Sequence, residues 1–459
     1  MSSSLVGSEM CIRDRNFSEP GYEVPKDSGV HASYTGALWI GGFDQGGQLK
    51  IAAQTYRQSG NDFWPGPLNA SGETDQSICN DYDRHWKIER SEINAHKDNA
   101  ASGGIIPISN IPDAILEWPG KGNPYAKGNG GVSLNISQSL APFKDSDGDG
   151  LYNPTRGDYP DVPGDQAIFW VYNDKGNAHS ETGGDAIGLE IQALAYAFVS
   201  DDALNNTTFY RYKTLYYGTT ALDSVYLSKW VDADIGYFLD DYVGCDTTRN
   251  LGICYNGNTF DSLYGYNPPM LAVDLLKGPT HYFPFDSGQL GMTGFATYYN
   301  SSLANGNPTL PEHYYNYLSG SWKDSMLFTS NCGHYGGITP SPYHFPGEPD
   351  NPAGVSECTC NSTPYDRRMM LTSGPFRMNP GAINRIDLAV IWSRCSDEAD
   401  CASFDCIQQA SDEVQTFYDS IIATGNYENI NPVSELVWQG NDIACLLYTS
   451  DAADDDVRV

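Results

Sequence analysis

The sequence predicts a mainly β protein, built from one or more antiparallel β-sandwich-like domains with a few short helices and long loops. Three observations lead to this prediction. Runs rich in β-branched and aromatic residues recur along the chain. Short polar segments separate many of these runs. The composition, with 47 glycines, 27 prolines and 31 tyrosines in 459 residues, is typical of a turn-rich and aromatic-rich protein.

The first part of the chain, residues 16–141, is predicted to be a smaller β-rich portion with short helices. Residues 37–40 and 49–53 are apolar runs between glycine and aspartate residues, so we expect strands there. Residues 89–100 and 112–118 are expected to form short helices, the second of which begins at one proline and ends before another.

The longer part, residues 167–430, is predicted to be the main antiparallel domain. Its strands are expected at residues 167–172, 187–198, 207–217, 224–231 and 383–392. The polar connections 201–206 and 218–223 are short, which favours antiparallel pairing of the strands that they join. Apolar residues at spacings of three and four predict an amphipathic helix at residues 405–424, with Gly425 just beyond its end.

The charge balance and the hydropathy pattern exclude two kinds of partner. Asp and Glu total 58 against 26 Lys and Arg, which gives a formal net charge of −32. A field of that sign repels nucleic acid. No apolar run approaches the ~18 residues that a membrane-spanning helix requires. We therefore expect no nucleic-acid partner and no membrane-spanning segment.

The cysteines predict disulfides. Of the eleven in the chain, those between residues 16 and 444 lack the paired C-x-x-C knuckles and histidines typical of a zinc site. Cys245 and Cys254 flank a segment containing Gly and Asn, and they are candidates for one bridge. Disulfides would indicate an oxidising, extracytoplasmic setting.

The most specific local signal is a D-x-D-x-D-G segment in the connector formed by residues 142–166. Carboxylates at alternating positions are typical ligands of Ca²⁺, and the glycine allows a sharp turn. Because Arg156 occupies the twelfth position of the loop, the closing carboxylate must come from Asp158, Asp161 or Asp165. We predict a structural calcium ion here, and the alternative is a solvated acidic turn. The candidate ligands are Asp145, Asp147, Asp149, the backbone carbonyl of Leu151, and Asp158.

A second acidic group is a candidate for another metal site. Its members are Asp232, Asp234, Asp240, Asp241 and Asp246. In an extended segment Asp232 and Asp234 point to the same side, as two ligands of one ion must. The alternatives are a solvated acidic surface or the paired carboxylates of a glycoside hydrolase.

Two further features are candidates for ligand binding. His179 and Glu181 lie in a Gly-rich loop, where a ligand role competes with a hydrogen-bonded turn. Trp64, if exposed, would stack on a sugar ring, and the alternative is packing in the core. The sequence contains no G-x-S-x-G, H-E-x-x-H or G-x-x-x-x-G-K-[ST] motif, and no G-x-G-x-x-G that opens a helix after a strand.

Both ends of the sequence are expected to be foreign to the protein. Residues 5–14, LVGSEMCIRD, are one reading frame of a transposase adapter used to prepare sequencing libraries. Residues 445–454, CLLYTSDAAD, are the reverse strand of its companion adapter. Residues 1–15 and 445–459 are therefore excluded from reasoning about the fold.

Five segments resemble a single family. They are YEVPK at 22–26, LWIGG at 38–42, AQTYRQSGNDFWPGPL at 53–68, GDYP at 157–160 and DDYVGCD at 240–246. They resemble the large, mostly uncharacterised secreted proteins of gliding bacteria that carry a type A sorting domain for the type IX secretion system. The resemblance implies export to the outer cell surface or the medium, and it supplies no catalytic residues. The sorting domain is not in this sequence, as expected if the reading frame stopped at the adapter.

From these observations we expect a non-enzymatic, calcium-stabilised, β-rich secreted or cell-surface protein. Its expected role is adhesion or the binding of polysaccharide or cell-surface glycans. The alternative is a secreted polysaccharide hydrolase with its acid and base among Asp232, Asp234, Asp240 and Asp241. A third hypothesis is a passive surface-layer component.

Overall fold

The apolar runs of the sequence form the strands of two large antiparallel sheets. The computed structural model describes residues 22–26, 28–56, 60–283, 286–395 and 400–429, so both adapter-like ends lie outside the described residues. The strands are β1 (Tyr22–Glu23), β2 (His31–Ser33), β3 (Thr35–Asp44), β4 (Leu49–Ala52), β5 (Trp64–Pro65), β6 (Trp86–Glu89), β7 (Phe143–Lys144), β8 (Tyr159–Pro160), β9 (Gln166–Asn173), β10 (Leu189–Ala197), β11 (Thr207–Tyr216), β12 (Leu222–Asp232), β13 (Asp241–Asp246), β14 (Leu251–Asn256), β15 (Phe260–Asp261), β16 (Gly265–Tyr266), β17 (Met270–Lys277), β18 (Thr280–Phe283), β19 (Asp286–Gln289), β20 (Gly294–Tyr298), β21 (Arg368–Met378) and β22 (Ile383–Ser393).

Helices are few and mostly short, as the sequence predicted. They are α1 (Gln76–Asp81), α2 (Arg90–Ala101), α3 (Asp113–Leu116), α4 (Pro311–Leu318) and α5 (Asp405–Phe417). The predicted helices at 89–100, 112–118 and 405–424 correspond to α2, α3 and α5. A π-helical turn, Tyr418–Ile422, extends α5 close to its predicted end.

The larger sheet has nine strands. Eight follow the order β13-β14-β17-β22-β11-β10-β9-β5, and β6 also pairs with β9. The predicted strands at 167–172, 187–198, 207–217 and 383–392 are present as β9, β10, β11 and β22. The connection at 201–206 joins the antiparallel pair β10–β11, as predicted.

The smaller sheet has five strands in the order β20-β21-β12-β3-β4. The predicted strands at 37–40, 49–53 and 224–231 are β3, β4 and β12. Strand β12 lies at the centre and pairs antiparallel with β3 on one side and β21 on the other. The predicted mainly β, antiparallel class is confirmed, since strands account for 34% of the chain and helices for 16%.

One predicted pairing is wrong. The connection at 218–223 is short, but it does not join paired strands, because β11 belongs to the nine-stranded sheet and β12 to the five-stranded sheet. The chain crosses from one sheet to the other at this point. A short polar connection is compatible with either path, and the apolar pattern of the strands does not distinguish them.

The two sheets pack face to face around one apolar core. Side chains from both inner faces share a single cluster of buried residues. Its members include Leu38, Ile40, Leu227, Val231 and Leu371 from the smaller sheet, and Ile168, Trp170, Ile191, Tyr210, Leu388 and Val390 from the larger one. This is the arrangement of a β-sandwich.

Both outer faces are also covered. Helix α5 and the segments around α2 and α3 pack on the outer face of the larger sheet. Helix α4 packs on the outer face of the smaller sheet, where Trp39 stacks on Trp230 with ring centroids 5.9 Å apart. Because both faces of the larger sheet are covered, apolar and polar residues do not alternate regularly along its strands. In β11, Tyr210 faces the inter-sheet core while Phe209 packs under α5.

Strands from residues 16–141 enter both sheets. Strands β3 and β4 belong to the smaller sheet, and β5 and β6 pair with β9 in the larger one. The sequence division at residue 141 is therefore not a division between the sheets.

Three disulfides are formed among the described residues. They are Cys332–Cys360, Cys358–Cys401 and Cys395–Cys406. Together they tie the long segment between β20 and β21 to the segment that leads into α5. Because Cys358 and Cys360 are two residues apart, the bridges form a connected series.

The suggested bridge between Cys245 and Cys254 is not formed. In the β13–β14 ladder Cys245 lies opposite Gly252, and Cys254 lies opposite Val243. The two buried thiols instead point at backbone carbonyls, with Sγ of Cys245 3.4 Å from the oxygen of His344. Their offset along the ladder keeps them diagonal rather than adjacent. Cys79 is likewise buried and reduced.

None of the helices in the described ranges is both long and apolar enough to cross a bilayer.

Candidate metal centres

The acidic loop at residues 145–150 is folded around the carboxylate of Asp145. Oδ1 of Asp145 accepts the backbone N–H of Gly148 at 2.7 Å, and Oδ2 accepts that of Gly150 at 2.7 Å. These bonds, that from Gly150 foremost, lower the pKa of Asp145. Gly148 and Gly150 have φ of +77° and +80°, a conformation that glycine adopts without strain. The turn is thus formed by the residues that the motif requires.

Three carboxylates of this loop converge. Oxygens of Asp145, Asp147 and Asp149 lie within 4.8 Å of one another, and all three residues are exposed. Leu151 follows directly, with its N–H bonded to Asp149. Arg156, at the twelfth position, places Nη1 3.3 Å from Oδ2 of Asp147. The spacing of the three oxygens suits one hard cation.

Asp158 lies beneath the loop and braces it. Its Oδ1 accepts the N–H of Ser146 and its Oδ2 accepts that of Asn153, both at 2.7 Å. The residue is fully buried, and burial raises the pKa of its carboxyl group. Asp158 is outside the set of converging carboxylates, which contains Asp145, Asp147 and Asp149. Its role as a closing ligand remains a prediction.

The second acidic group is rearranged relative to the prediction. Oxygens of Asp232, Asp234 and Asp366 lie within 4.8 Å of one another. Asp232 ends β12, and Asp366 comes two residues before β21. The antiparallel register, which places Asp232 opposite Arg368, brings these carboxylates together. We call Asp232, Asp234 and Asp366 the inner carboxylate cluster.

The charge of the inner carboxylate cluster is mainly negative. Arg368 is its cation, with Nε 3.5 Å from Asp232 and Nη1 2.7 Å from Asp366. The hydroxyl of Tyr56 donates a short hydrogen bond to Asp232 and accepts one from Nε of Arg368 at 2.8 Å. Burial, then repulsion by Asp232, raises the pKa of Asp234 well above its ordinary value.

The other predicted members of the second group have different surroundings. Asp241 is fully buried and accepts the N–H of Ile235, and burial followed by the charge of Asp234 raises its pKa. Burial and Asp261 raise the pKa of Asp240 to about 6. Asp246 is bonded to Thr248 and Arg249, and despite partial burial these bonds lower its pKa. Asp246 is thus committed to a surface ion pair.

Five exposed aromatic rings lie on segments that neighbour the acidic residues: Tyr237 and Phe238 stand between Asp234 and Asp240 in the sequence, and Tyr365 precedes Asp366. We call them the aromatic rim, and they are Tyr237, Phe238, Phe260, Tyr266 and Tyr365. Two pairs are in contact, with ring centroids 5.5 Å apart for Tyr237–Phe238 and 5.1 Å for Phe260–Tyr266. The N–H of Tyr237 bonds to Asp261, and the N–H of Tyr365 bonds to the carbonyl of Asp241.

Trp64 is buried rather than exposed. It is 8% exposed, and its ring centroid is 6.0 Å from that of His179. Strand β5 holds it against β9, opposite Asn173. Trp64 therefore packs in the core, as the alternative interpretation of the sequence has it. The expectation that Trp64 is exposed is wrong.

His179 and Glu181 belong to a buried polar network. The ring nitrogens of His179 lie 2.8 Å from the carbonyl oxygens of Ile51 and Asp174. Glu181 accepts hydrogen bonds from the hydroxyls of Thr55 and Tyr314. These bonds join the segment after β4 to the loop after β9. The alternative of a hydrogen-bonded loop fits these contacts, while a ligand role remains a prediction.

Sequence reasoning missed Asp366, Arg368 and Tyr56. They are separated from Asp232 by more than a hundred residues along the chain. The strand register brings Arg368 to Asp232, and a hydrogen bond links Tyr56 to it. No local motif marks them. Asp232 and Asp234 were found because their alternate spacing is a local signal.

Comparison with known proteins gives no assignment: no protein-family profile matches the chain, and no curated protein matches it.

Proposed function

We propose that this protein is a non-enzymatic, calcium-stabilised, β-rich scaffold, secreted or held at the cell surface, that acts in adhesion or glycan binding. The observation that carries the proposal is the aromatic rim. Its five rings are between 41% and 74% exposed, and four of them form two contacting pairs. Exposed aromatic rings supply flat apolar faces on which sugar rings stack.

The expected extracytoplasmic setting is supported by the covalent structure. Three disulfides stabilise the segment between β20 and β21, which has little regular secondary structure. Disulfides persist in oxidising compartments and are rare in the cytosol. The resemblance to type IX secreted proteins points in the same direction. Export by that system is part of the proposal.

Calcium has a stabilising role in the proposal. The acidic loop at 145–150 stands between α3 and β9, in the connector that leads into the larger sheet. A calcium ion there would offset two of the three negative charges of the exposed carboxylates and fix the loop against Asp158. The donor set is all oxygen, which suits a hard ion.

The test is sedimentation of the purified chain with insoluble cellulose, chitin, xylan and curdlan. The variants Tyr237→Ala and Tyr266→Ala should each weaken binding to whichever polymer is retained. Tyr335→Ala is the matched control, since Tyr335 is 44% exposed but lies outside the aromatic rim. Equal loss in all three variants, or binding to none of the polymers, would contradict a glycan-binding rim and favour a passive surface-layer component.

A polysaccharide hydrolase is the second candidate, and the raised pKa values in the inner carboxylate cluster favour it. Burial argues against it. Asp232 and Asp366 are almost inaccessible and only Asp234 is partly exposed, whereas glycoside hydrolysis needs two carboxyl groups at the substrate. Release of reducing ends from the same polymers, abolished by Asp234→Asn, would establish the hydrolase instead.

A further inference from the structure

We propose that Asp232, Asp234 and Asp366 bind a divalent cation, with Ca²⁺ as the best match, at a site separate from the acidic loop at 145–150. This inference does not depend on glycan binding. It goes beyond the proposed function by assigning a metal site between the ends of β12 and β21, where the smaller sheet meets the loop that carries Asp234.

The distances among the three carboxylates fit one cation. Ligand oxygens of one Ca²⁺ lie 2.3–2.6 Å from the ion, so they are at most about 5 Å apart. The three carboxylates meet this condition, with one oxygen of each within 4.8 Å of the others. Asp232 is fixed in the ladder opposite Arg368, and Asp234 and Asp366 lie two residues beyond the paired ends of β12 and β21.

Two buried oxygens of the cluster accept no hydrogen bond from the described residues. Asp232 is only 3% exposed, yet its Oδ1 accepts none from any described residue, and the nearest cation atom is 3.5 Å away. Oδ1 of Asp234 is also buried and accepts none within the described ranges. Leaving a charged oxygen buried without a partner costs free energy. A bound cation would supply the missing partner.

The cluster combines three carboxylates with one guanidinium, that of Arg368, so in its ionised state it carries an excess of two negative charges. A divalent cation neutralises that excess.

Neighbouring side chains hold two of the carboxylates in place. Tyr56 donates to Oδ2 of Asp232, and Nη1 of Arg368 pairs with Oδ1 of Asp366. Partners of this kind orient metal ligands. Carboxylate-only ligation favours hard ions such as Ca²⁺ or Mg²⁺ over zinc, and partial exposure of Asp234 leaves room for water ligands.

The experiment measures calcium stoichiometry by equilibrium dialysis of the full chain with ⁴⁵Ca²⁺. The double variant Asp145→Asn/Asp147→Asn removes the loop site and serves as the background. In that background we expect one bound ion to remain. Adding Asp234→Asn should abolish it or weaken its affinity by at least about tenfold. Adding Asp223→Asn should change nothing, because Asp223 lies on the same strand but pairs with Arg377 at the surface.

A second measurement keeps the test decisive if Asp234→Asn folds poorly. Asp366→Asn removes another ligand, and Tb³⁺ luminescence sensitised by Tyr56 reports occupancy directly, since the Tyr56 hydroxyl contacts Asp232. Near-ultraviolet circular dichroism in chelator checks that each variant is folded. Loss of all calcium from the loop double variant would overturn the proposal. So would equal affinity in folded Asp234→Asn and Asp223→Asn proteins.

Discussion

Arg368 lies directly opposite Asp232 in the β12–β21 ladder, and the hydroxyl of Tyr56 bridges the two side chains. This relationship joins the centre of the smaller sheet to the segment that follows β4. It also places the guanidinium beside Asp366. A single buried cation therefore offsets part of the negative charge that two sequence-distant segments bring together.

Replacing Arg368 should be strongly destabilising. Arg368→Gln leaves Asp232 and Asp366 buried with no guanidinium partner, and loss of one member of a buried pair typically costs about 3–5 kcal/mol. We expect this loss in urea unfolding measured in chelator, with partial recovery in calcium. Arg377→Gln, on the same strand but in a half-exposed pair with Asp223, should cost no more than about 1 kcal/mol. Equal costs would contradict the buried-pair account.

Calcium should stabilise the protein through the acidic loop at 145–150. At about 100 times the dissociation constant, binding to the folded state alone adds about 2.7 kcal/mol. We expect thermal unfolding in calcium to occur at higher temperature than in chelator, and Asp147→Ala to lose the part of the shift that the loop contributes. An unchanged shift in Asp147→Ala would assign the stabilisation to another site.

Asp274 should make stability fall as the pH rises. It is fully buried with its Oδ2 bonded to Ser411, and burial foremost raises its pKa to about 8, with Asp412 and Asp246 adding to the shift and Arg249 opposing it. Between about pH 4 and 8 the folded state keeps a proton that the unfolded state releases. Stability from this group therefore decreases by up to about 1.4 kcal/mol per pH unit across that window.

The check is urea unfolding of wild type and Asp274→Asn at pH 5 and pH 8. Asparagine does not titrate, so the stability of the variant relative to wild type should increase with pH. Parallel pH profiles for the two proteins would show that Asp274 does not hold a proton in the folded state.

The disulfide Cys358–Cys401 should contribute substantially to stability. It closes a loop of 43 residues, for which the chain-entropy estimate is about 4 kcal/mol. We expect Cys358→Ser/Cys401→Ser to lose about 2–4 kcal/mol in denaturant unfolding under non-reducing conditions. Cys79→Ala, which removes a buried free thiol, should lose less. A double variant as stable as wild type would show that the bridge is dispensable.

Local patterns in the sequence predicted seven of the strands and the helix α5, while strands β14, β17 and β21 were not predicted. The predicted elements were found because long apolar runs and a helical period are properties of contiguous residues. Asp232 and Asp234 were recognised for the same reason. Asp366 was not, since its place in the inner carboxylate cluster depends on β21 pairing with β12. Which strands pair within a sheet depends on contacts between segments that are far apart in the sequence. A local pattern carries no information about those contacts.

The errors have equally specific causes. Asp246 was grouped with the other acids by proximity in sequence, but Arg249, three residues further on, binds it. Trp64 was considered as an exposed stacking surface with core packing as the alternative, and β5 places it against β9 in the core. For Asp246, a nearby partner outweighs the acidic composition of the surrounding segment.

The crossing at residues 218–223 has a consequence for the order of assembly. Strand β12 needs β3 from near the start of the described chain and β21 from beyond residue 367, while β11 needs β22, which ends at Ser393. The central ladders of both sheets thus remain incomplete until most of the chain is present. We expect refolding to be slow and no half of the chain to fold on its own. Any fragment that stops before β21 should therefore lack the native tryptophan fluorescence.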